Sequence, residues 1–280
     1  MFHNEKMKKD LDNRIKTGGY LQSDIWKAHA TYSNNNSLHQ DIAKSIAEKY
    51  KDFSAIDINP EKGKVAFITS KISGHVTGKI FTDLFLYLKH LPITVYGCRD
   101  NSSYYVEKIT ANGIKFVDLS KLDDFDAAKQ IANDKIETLI DISGYNDNMR
   151  LGILAHKPAK NIIHWQGTPS PLNAHWATHY ITDNFISNNL ELPTEKLLFL
   201  GDTYFTCPYV SDFQDVKLQK GKGRIRLGSV NSNGKITKDI FMLWLDIMKE
   251  LPSSDLYILT NTATLADYKK LAEVNGVSAN

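Results

Sequence analysis

The chain has 280 residues, of which 42 % are hydrophobic and 24 % charged, with a formal net charge of +2. That length allows two domains of ordinary size, and the composition excludes a disordered or collagen-like chain. A charge this close to balance gives no reason to expect nucleic acid or an anionic membrane as a partner.

The opening stretch MFHNEKMKKDLDNRIK is polar and lacks the apolar centre of a secretory signal. No run of about 18 apolar residues is available to cross a bilayer, so a cytoplasmic location is expected. Residues 1–60 read as an N-terminal helical segment. In SLHQDIAKSIAEKY, Leu38, Ile42 and Ile46 recur at helical spacing, and Ser37 can cap the helix. Pro60 and Gly63, in DINPEKG, mark the boundary.

From Lys64 onward short apolar runs alternate with amphipathic helices. VAFITS, ITVYG, KFVDLS, TLIDIS, NIIHWQ, YITD and KLLFLG are predicted strands, with helices such as TGKIFTDLFLYLKH and DDFDAAKQIANDK between the early ones. Near-continuous apolar strands alternating with helices predict a parallel sheet covered on both faces. Residues 61–215 are therefore expected to form a doubly wound, Rossmann-like α/β domain. The first of its loops is SGHVTGK. It is not a nucleotide phosphate loop, because only three residues separate Gly74 from Gly78 and Ile80 follows Lys79 where a hydroxyl is needed. It does place His75 after a strand, at the sheet end where open α/β proteins bind ligands. No nucleophile elbow is present, so hydrolysis is not expected.

The basic stretch KLQKGKGRIR, residues 217–226, reads as a solvated linker, with a phosphate or nucleic-acid contact as the alternative. Beyond it, in residues 216–280, come the strand RIRLGSV and a helix capped by Thr237. Ile240, Trp244, Ile247 and Leu251 are predicted to form the buried face of that helix. The strand DLYILT and the helix ATLADYKKLAEVNG follow. Two β–α units make a poor independent core. They are either extra strands on the first sheet or the beginning of a second Rossmann-like domain. The two cysteines, Cys98 and Cys207, give no disulfide framework and no paired metal-ligand spacing.

At KVAFITSKISGHVTGK, DISGYNDNMRLGILAHKPAKNIIHWQGTPSP, YITDN and NGKITKDIFMLWLDIMKELPSSDLYIL, the sequence resembles one family. This is the catalytic region of the O-linked N-acetylglucosamine transferase and SPINDLY family, glycosyltransferase family 41. The resemblance implies a GT-B arrangement, with one complete Rossmann-like domain and the beginning of a second. It implies transfer of N-acetylglucosamine or a similar sugar from a nucleotide-sugar such as UDP-GlcNAc to Ser or Thr hydroxyls of proteins, by inverting displacement. The expected partners are thus a nucleotide-sugar and a protein or peptide acceptor, with no cofactor and no metal. The family's His-Thr-Thr-Gly-type donor loop does not occur in this sequence, so activity of the chain by itself is not expected. Two other readings stay open: a non-catalytic peptide-binding remnant, or a transferase acting on glycan or lipid acceptors.

Such chemistry needs a cation or N–H dipoles at the leaving diphosphate and a place for the acceptor's proton. By spacing alone Lys235, in NSNGKIT, is an exposed loop lysine before a capped helix; the resemblance assigns it to the donor phosphates, with Ser232 beside it. The resemblance places His75 beside sugar and acceptor, where an imidazole suits acid–base work. Thr77 is either a donor contact or a helix cap. Tyr145, as a catalytic residue, and Arg150 correspond to cleft-lining positions; the alternative is a surface Tyr and an Arg paired with Asp147 or a helix end. Gln166 and Gly167 match a donor-side turn in which glycine admits a close ligand, and Trp165 reads as core. Lys71 and Lys79 depart from the family pattern, as does Thr31, which stands where a second His would accompany His29. His164, His175 and His179 are expected to be structural.

Overall fold

A computed structural model describes residues 3–32, 35–72, 76–146, 149–188, 190, 193–206 and 223–279. In chain order the elements are α1 (His3–Thr17), α2 (Asp24–Thr31), α3 (Asn36–Glu48), β1 (Val65–Ile72), α4 (Val76–Tyr87), β2 (Thr94–Asn101), α5 (Ser103–Thr110) and β3 (Lys115–Asp118). They continue with α6 (Asp124–Asn133), β4 (Thr138–Asp141), α7 (Leu151–Ala155), β5 (Asn161–His164), β6 (His179–Thr182), α8 (Asn184–Ser187) and β7 (Lys196–Phe199). The last are β8 (Ile225–Ser229), a single 3-10 turn (Asn233–Lys235), α9 (Lys238–Glu250), β9 (Ser254–Ile258) and α10 (Thr262–Val274). Every predicted strand is present.

The chain divides into two compact units that do not follow linear order. A sheet unit holds residues 20–25 and 35–214; a terminal unit holds residues 1–19, 26–34 and 215–280. The N-terminal helices are thus shared out, α1 going with residues 215–280 and α3 with the sheet.

In the sheet unit seven strands run in the order β3-β2-β1-β4-β5-β6-β7, every neighbouring pair parallel. The chain winds outward from β1 to β3, then jumps back to β4 and winds the other way. Right-handed crossovers in opposite directions put α4 and α5 on one face and α6 and α7 on the other. The fold is therefore the α/β, doubly wound architecture expected. Its order reverses between β1 and β4, where two adjacent strands send their loops apart and leave a crevice at their carboxyl ends.

The core under α4 and α5 contains Phe67, Phe81, Phe85, Val95 and Trp165, all buried. Phe81 meets Trp165 edge-on at 5.8 Å between ring centroids, the favoured aromatic geometry. Asn35, rather than Ser37, caps α3, its side chain accepting from the Leu38 N–H. The apolar face of α3, with Ile42, Ala43 and Ile46, is buried.

In the terminal unit β8 and β9 form a two-stranded parallel sheet. Thr237 caps α9 as expected, accepting from Ile240 N–H at 3.2 Å. The buried face of α9 is not the expected one: Phe241 and Leu245 are buried, whereas Ile240, Ile247 and Leu251 are 38–41 % exposed. Apolar residues lie on more than one stripe of this helix, so periodicity alone leaves a choice. Phe241 stacks on Tyr268 of α10, with centroids 4.6 Å apart. That aromatic contact selects the stripe.

Candidate functional site

At the β1/β4 switch point the two strand ends are joined by buried hydroxyl groups. Ser143, just past β4, accepts from the backbone N–H of Ser70 on β1 at 2.9 Å. Its Oγ also lies 3.3 Å from Thr69 Oγ1 and 3.2 Å from Ser70 Oγ. Two strand ends are thus joined by buried polar contacts immediately before the segment that contains His75. His75 itself, like Asp147, lies outside the described residues. Thr77 falls in the first turn of α4.

The loop after β4 is interlocked with the loop after β5. The carboxylate of Asp141, fully buried, accepts from Ser143 N–H at 2.9 Å and from Gly144 N–H at 3.1 Å. Register places Asp141 directly beside His164 at the end of β5. His164 Nδ1 lies 3.4 Å from Asp141 Oδ2, an ion-pair separation, and Nε2 lies 3.0 Å from the Thr168 carbonyl. Burial works against charging this imidazole, but the Asp141 carboxylate and the Thr168 carbonyl outweigh it and raise the pKa. The ring also stacks on Tyr180, nearly parallel at 5.7 Å. His164 is structural, as expected, held between the Asp141 carboxylate and the Thr168 carbonyl.

Two glycines let these loops touch. Gly144 has φ +56°, and a Cβ there would stand 2.5 Å from both His164 Cε1 and Thr168 Oγ1. A Cβ on Gly167 would stand 2.3 Å from the carbonyl carbon of Ser143. The close approach that Gly167 permits is therefore made by protein backbone. Gln166 precedes it with φ +65°. Its side-chain amide pairs with one residue, donating to Thr206 O at 2.9 Å and accepting from Thr206 N–H at 3.2 Å. Trp165, buried in the core, donates from Nε1 to Tyr204 O at 2.8 Å. Asp183 after β6 accepts from the N–H groups of Ile186 and Tyr204, each at 2.8 Å. Residues 204–206 are thereby tied to the strand ends by side chains. Gln166→Ala removes two of these bonds and is expected to lower stability by roughly 1–2 kcal/mol. Urea denaturation checks this, and proteolysis should become faster near residue 206.

Tyr145 and Arg150 sit differently from the cleft-lining places expected of them. Tyr145 is fully buried, and its hydroxyl is directed at the carbonyls of Ala43 on α3 and Leu172. Burial, with Glu195 and Asp141 nearby, raises its pKa well above the ordinary value, so it offers no proton at neutral pH. Its N–H donates to Thr168 Oγ1 at 2.9 Å, adding another tie between the two loops. Arg150 is committed to Asp124, with Nε donating at 2.8 Å. It donates further to the carbonyls of Leu119 at 3.0 Å and Leu122 at 2.7 Å. Both residues hold loops in place.

In the terminal unit β8 runs into the single 3-10 turn that carries Lys235, and Thr237 then opens α9. Lys235 and Ser232 are exposed. The turn has two backbone bonds of its own, Lys235 N–H to Ser232 O at 2.9 Å and Ile236 N–H to Asn233 O at 3.2 Å. An ammonium thus stands one turn ahead of the N-terminus of a 13-residue helix, whose Ile240 N–H is taken by the Thr237 cap and whose earlier N–H groups suit an anion. Of the basic stretch before β8, residues 217–222 lie outside the described residues. Arg224 pairs with Asp255 across the two strands at 2.7 Å. Among the described residues no cluster of His, Cys, Asp or Glu is arranged to hold a metal. No described helix is long and apolar enough to cross a membrane.

Sequence reasoning missed Asp141, Thr168 and Asn4. Asp141 and His164 had a signal: TLID and NIIH each end an apolar run on an ionisable residue, and parallel neighbours bring such ends together. Asn4 had none.

The profile described as Glycosyl transferase family 41 matches residues 21–222, ending short of Ser232 and Lys235. The protein named "Probable UDP-N-acetylglucosamine--peptide N-acetylglucosaminyltransferase SEC" of Arabidopsis thaliana is 25 % identical over 212 residues. The match takes in 70 % of this chain and 22 % of that protein. The UDP-N-acetylglucosamine–peptide N-acetylglucosaminyltransferase of Caenorhabditis elegans is 28 % identical over 165 residues, 52 % of this chain and 13 % of its own length. The chain therefore spans about a fifth or less of these curated relatives. In fold it matches a mutant O-GlcNAc transferase from Thermobaculum terrenum with a TM-score of 0.79 at 18 % identity, covering 92 % of this chain and 52 % of that one.

Proposed function

The chain belongs to glycosyl transferase family 41, and from that premise we propose that it is the sugar-transferring part of a longer polypeptide. It would move N-acetylglucosamine from a uridine diphosphate donor to Ser or Thr hydroxyls of a peptide, without a metal. The donor and acceptor classes follow the names of its relatives. In the reaction the hydroxyl oxygen bonds to the anomeric carbon as the bond from that carbon to the diphosphate breaks. Negative charge then collects on the leaving phosphate, where a fixed cation and N–H dipoles stabilise it most.

The observation that carries this reading is the Lys235 turn. It follows a strand, presents an exposed ammonium and precedes the capped N-terminus of α9. Ser232 borders the same turn. In the sheet unit the interlocked loops after β4 and β5 supply a rigid strand end beside the segment containing His75. That histidine is the proposed contact to sugar and acceptor, with Thr77 nearby. Gln166, Gly167, Tyr145 and Arg150 act by holding this strand end in shape.

Thermal unfolding with UDP, GDP and their sugars tests the reading. A nucleotide present at about 100 times its dissociation constant should add roughly 2.7 kcal/mol. That gain is expected for UDP and is expected to disappear in Lys235→Ala. Equal stabilisation of the variant, or none of the wild-type chain by any nucleotide, would remove the donor site from Lys235. Peptide binding without nucleotide binding would favour a binding module instead.

A further inference from the structure

The turn that carries Lys235 does not hold itself. A single 3-10 turn has poor hydrogen-bond geometry and little cooperativity, and among the described residues this one has the two backbone bonds given above. Asn233 Oδ1, within the turn, is buried and meets no hydrogen-bond partner among the described residues. Ile236, directly after the turn, is buried in the core of the unit, and further support comes from the other end of the sequence. Asn4, in the first turn of α1 and only 6 % exposed, directs its side-chain amide inward. Nδ2 donates to the carbonyl of Gly234 at 3.0 Å and to the carbonyl of Ala30, in α2, also at 3.0 Å. Asn4 and Gly234 are 230 positions apart, yet both belong to the terminal unit. Helix α1 is anchored behind this contact by Leu11, which is fully buried.

Both amide hydrogens are therefore used on main-chain carbonyls, one of them inside the turn next to Lys235. A planar amide with two donors on a short stem suits this task. Aspartate has no donor when ionised, and alanine has nothing to offer. Fixing the Gly234 carbonyl fixes the peptide plane it shares with the Lys235 N–H. That in turn sets where the lysine leaves the backbone.

We propose that Asn4 is a positioning residue for the Lys235 turn, clamping Gly234 so that the ammonium and the N–H groups ahead of α9 share one target. The functional half of this inference rests on the donor site proposed above; the clamp itself does not. Amide hydrogen exchange and UDP titration of the whole chain, compared among wild type, Asn4→Ala, Asn4→Asp and Lys235→Ala, separate the two.

In Asn4→Ala the amides of Lys235 and Ile236 should exchange roughly five- to tenfold faster, the loss of about one buried hydrogen bond. Amides in the middle of α9 and in β9 should keep their rates, which also establishes that the variant is folded. UDP should bind about fivefold more weakly, and more weakly still to Asn4→Asp, whose carboxylate would face two carbonyls. Unchanged exchange at the turn would overturn the clamp whatever UDP does. Faster exchange with unaltered UDP affinity would overturn the positioning role. If wild type binds no UDP, the donor reading and with it the positioning role fail, while the exchange data still decide the clamp.

Discussion

Gly167→Ala is expected to destabilise the sheet unit by about 3 kcal/mol, at the upper end of what overpacking costs. The new methyl would meet the Ser143 carbonyl carbon at 2.3 Å, its oxygen at 2.5 Å and its Cα at 2.6 Å. All three are backbone atoms, so no side-chain rotation relieves the collision. Ser143 cannot retreat cheaply, because its N–H is held by Asp141 and its hydroxyl by Ser70. Gly113→Ala supplies the comparison. There φ is +81° but nothing lies within 4 Å, so only the left-handed backbone is penalised, at about 1 kcal/mol. Urea unfolding of the two variants isolates the collision as the difference between them. Equal costs would mean that the loops after β4 and β5 are not locked together in solution.

The strands were legible because each is a short apolar run between turn residues, and a sheet buried on both faces imposes that pattern. Their order was not. Nothing local in TLID says that it pairs with β1, which lies 73 residues earlier by the Ser143–Ser70 contact, rather than with β3. The glycine at 167 could be read as a point of close approach, but not what approaches: a Cβ-free position serves a ligand or another backbone equally well. Tyr145 was harder still. A tyrosine after a strand-end glycine lines a crevice or closes it, and the choice depends on α3, whose Ala43 carbonyl faces its hydroxyl. Helix α9 failed for a different reason, since an abundance of apolar residues blurs the periodicity that identifies a buried face.

The second large effect concerns the pair that register brought together. Asp141→Ala is expected to cost about 3–5 kcal/mol, because it strands a buried partner of opposite charge and uncaps two N–H groups. Asp141→Asn keeps an acceptor for Ser143 and Gly144, so it should cost less, and it should change the response to pH.

In the wild-type chain the folded-state pKa of His164 lies above its ordinary value of 6.5. The folded state therefore binds the proton more tightly than the unfolded state does. Its contribution is fully present below about pH 6.5 and is lost as pH rises through the folded value. Asp141 is the main source of this, with Glu195, itself buried, adding in the same direction. Without the carboxylate, burial, the largest single influence on this ring, is opposed by the Thr168 carbonyl and Glu195 and is expected to favour the neutral ring.

The sign then reverses. Asp141→Asn should gain stability as pH rises toward about 6.5, where the wild type shows no such gain from this residue. The depressed carboxylates Asp118, Asp134, Glu137 and Asp183 titrate at lower pH and do not obscure that window. His175 and His179, whose pKa values burial lowers, titrate in that window in wild type and variant alike, so the difference between the two proteins' urea midpoints from about pH 5.5 to 8.5 reads His164. Parallel slopes in wild type and variant would show that His164 is neutral in the folded chain, and the loop after β4 would then owe its shape to the glycines and the N–H groups on Asp141, without the ion pair.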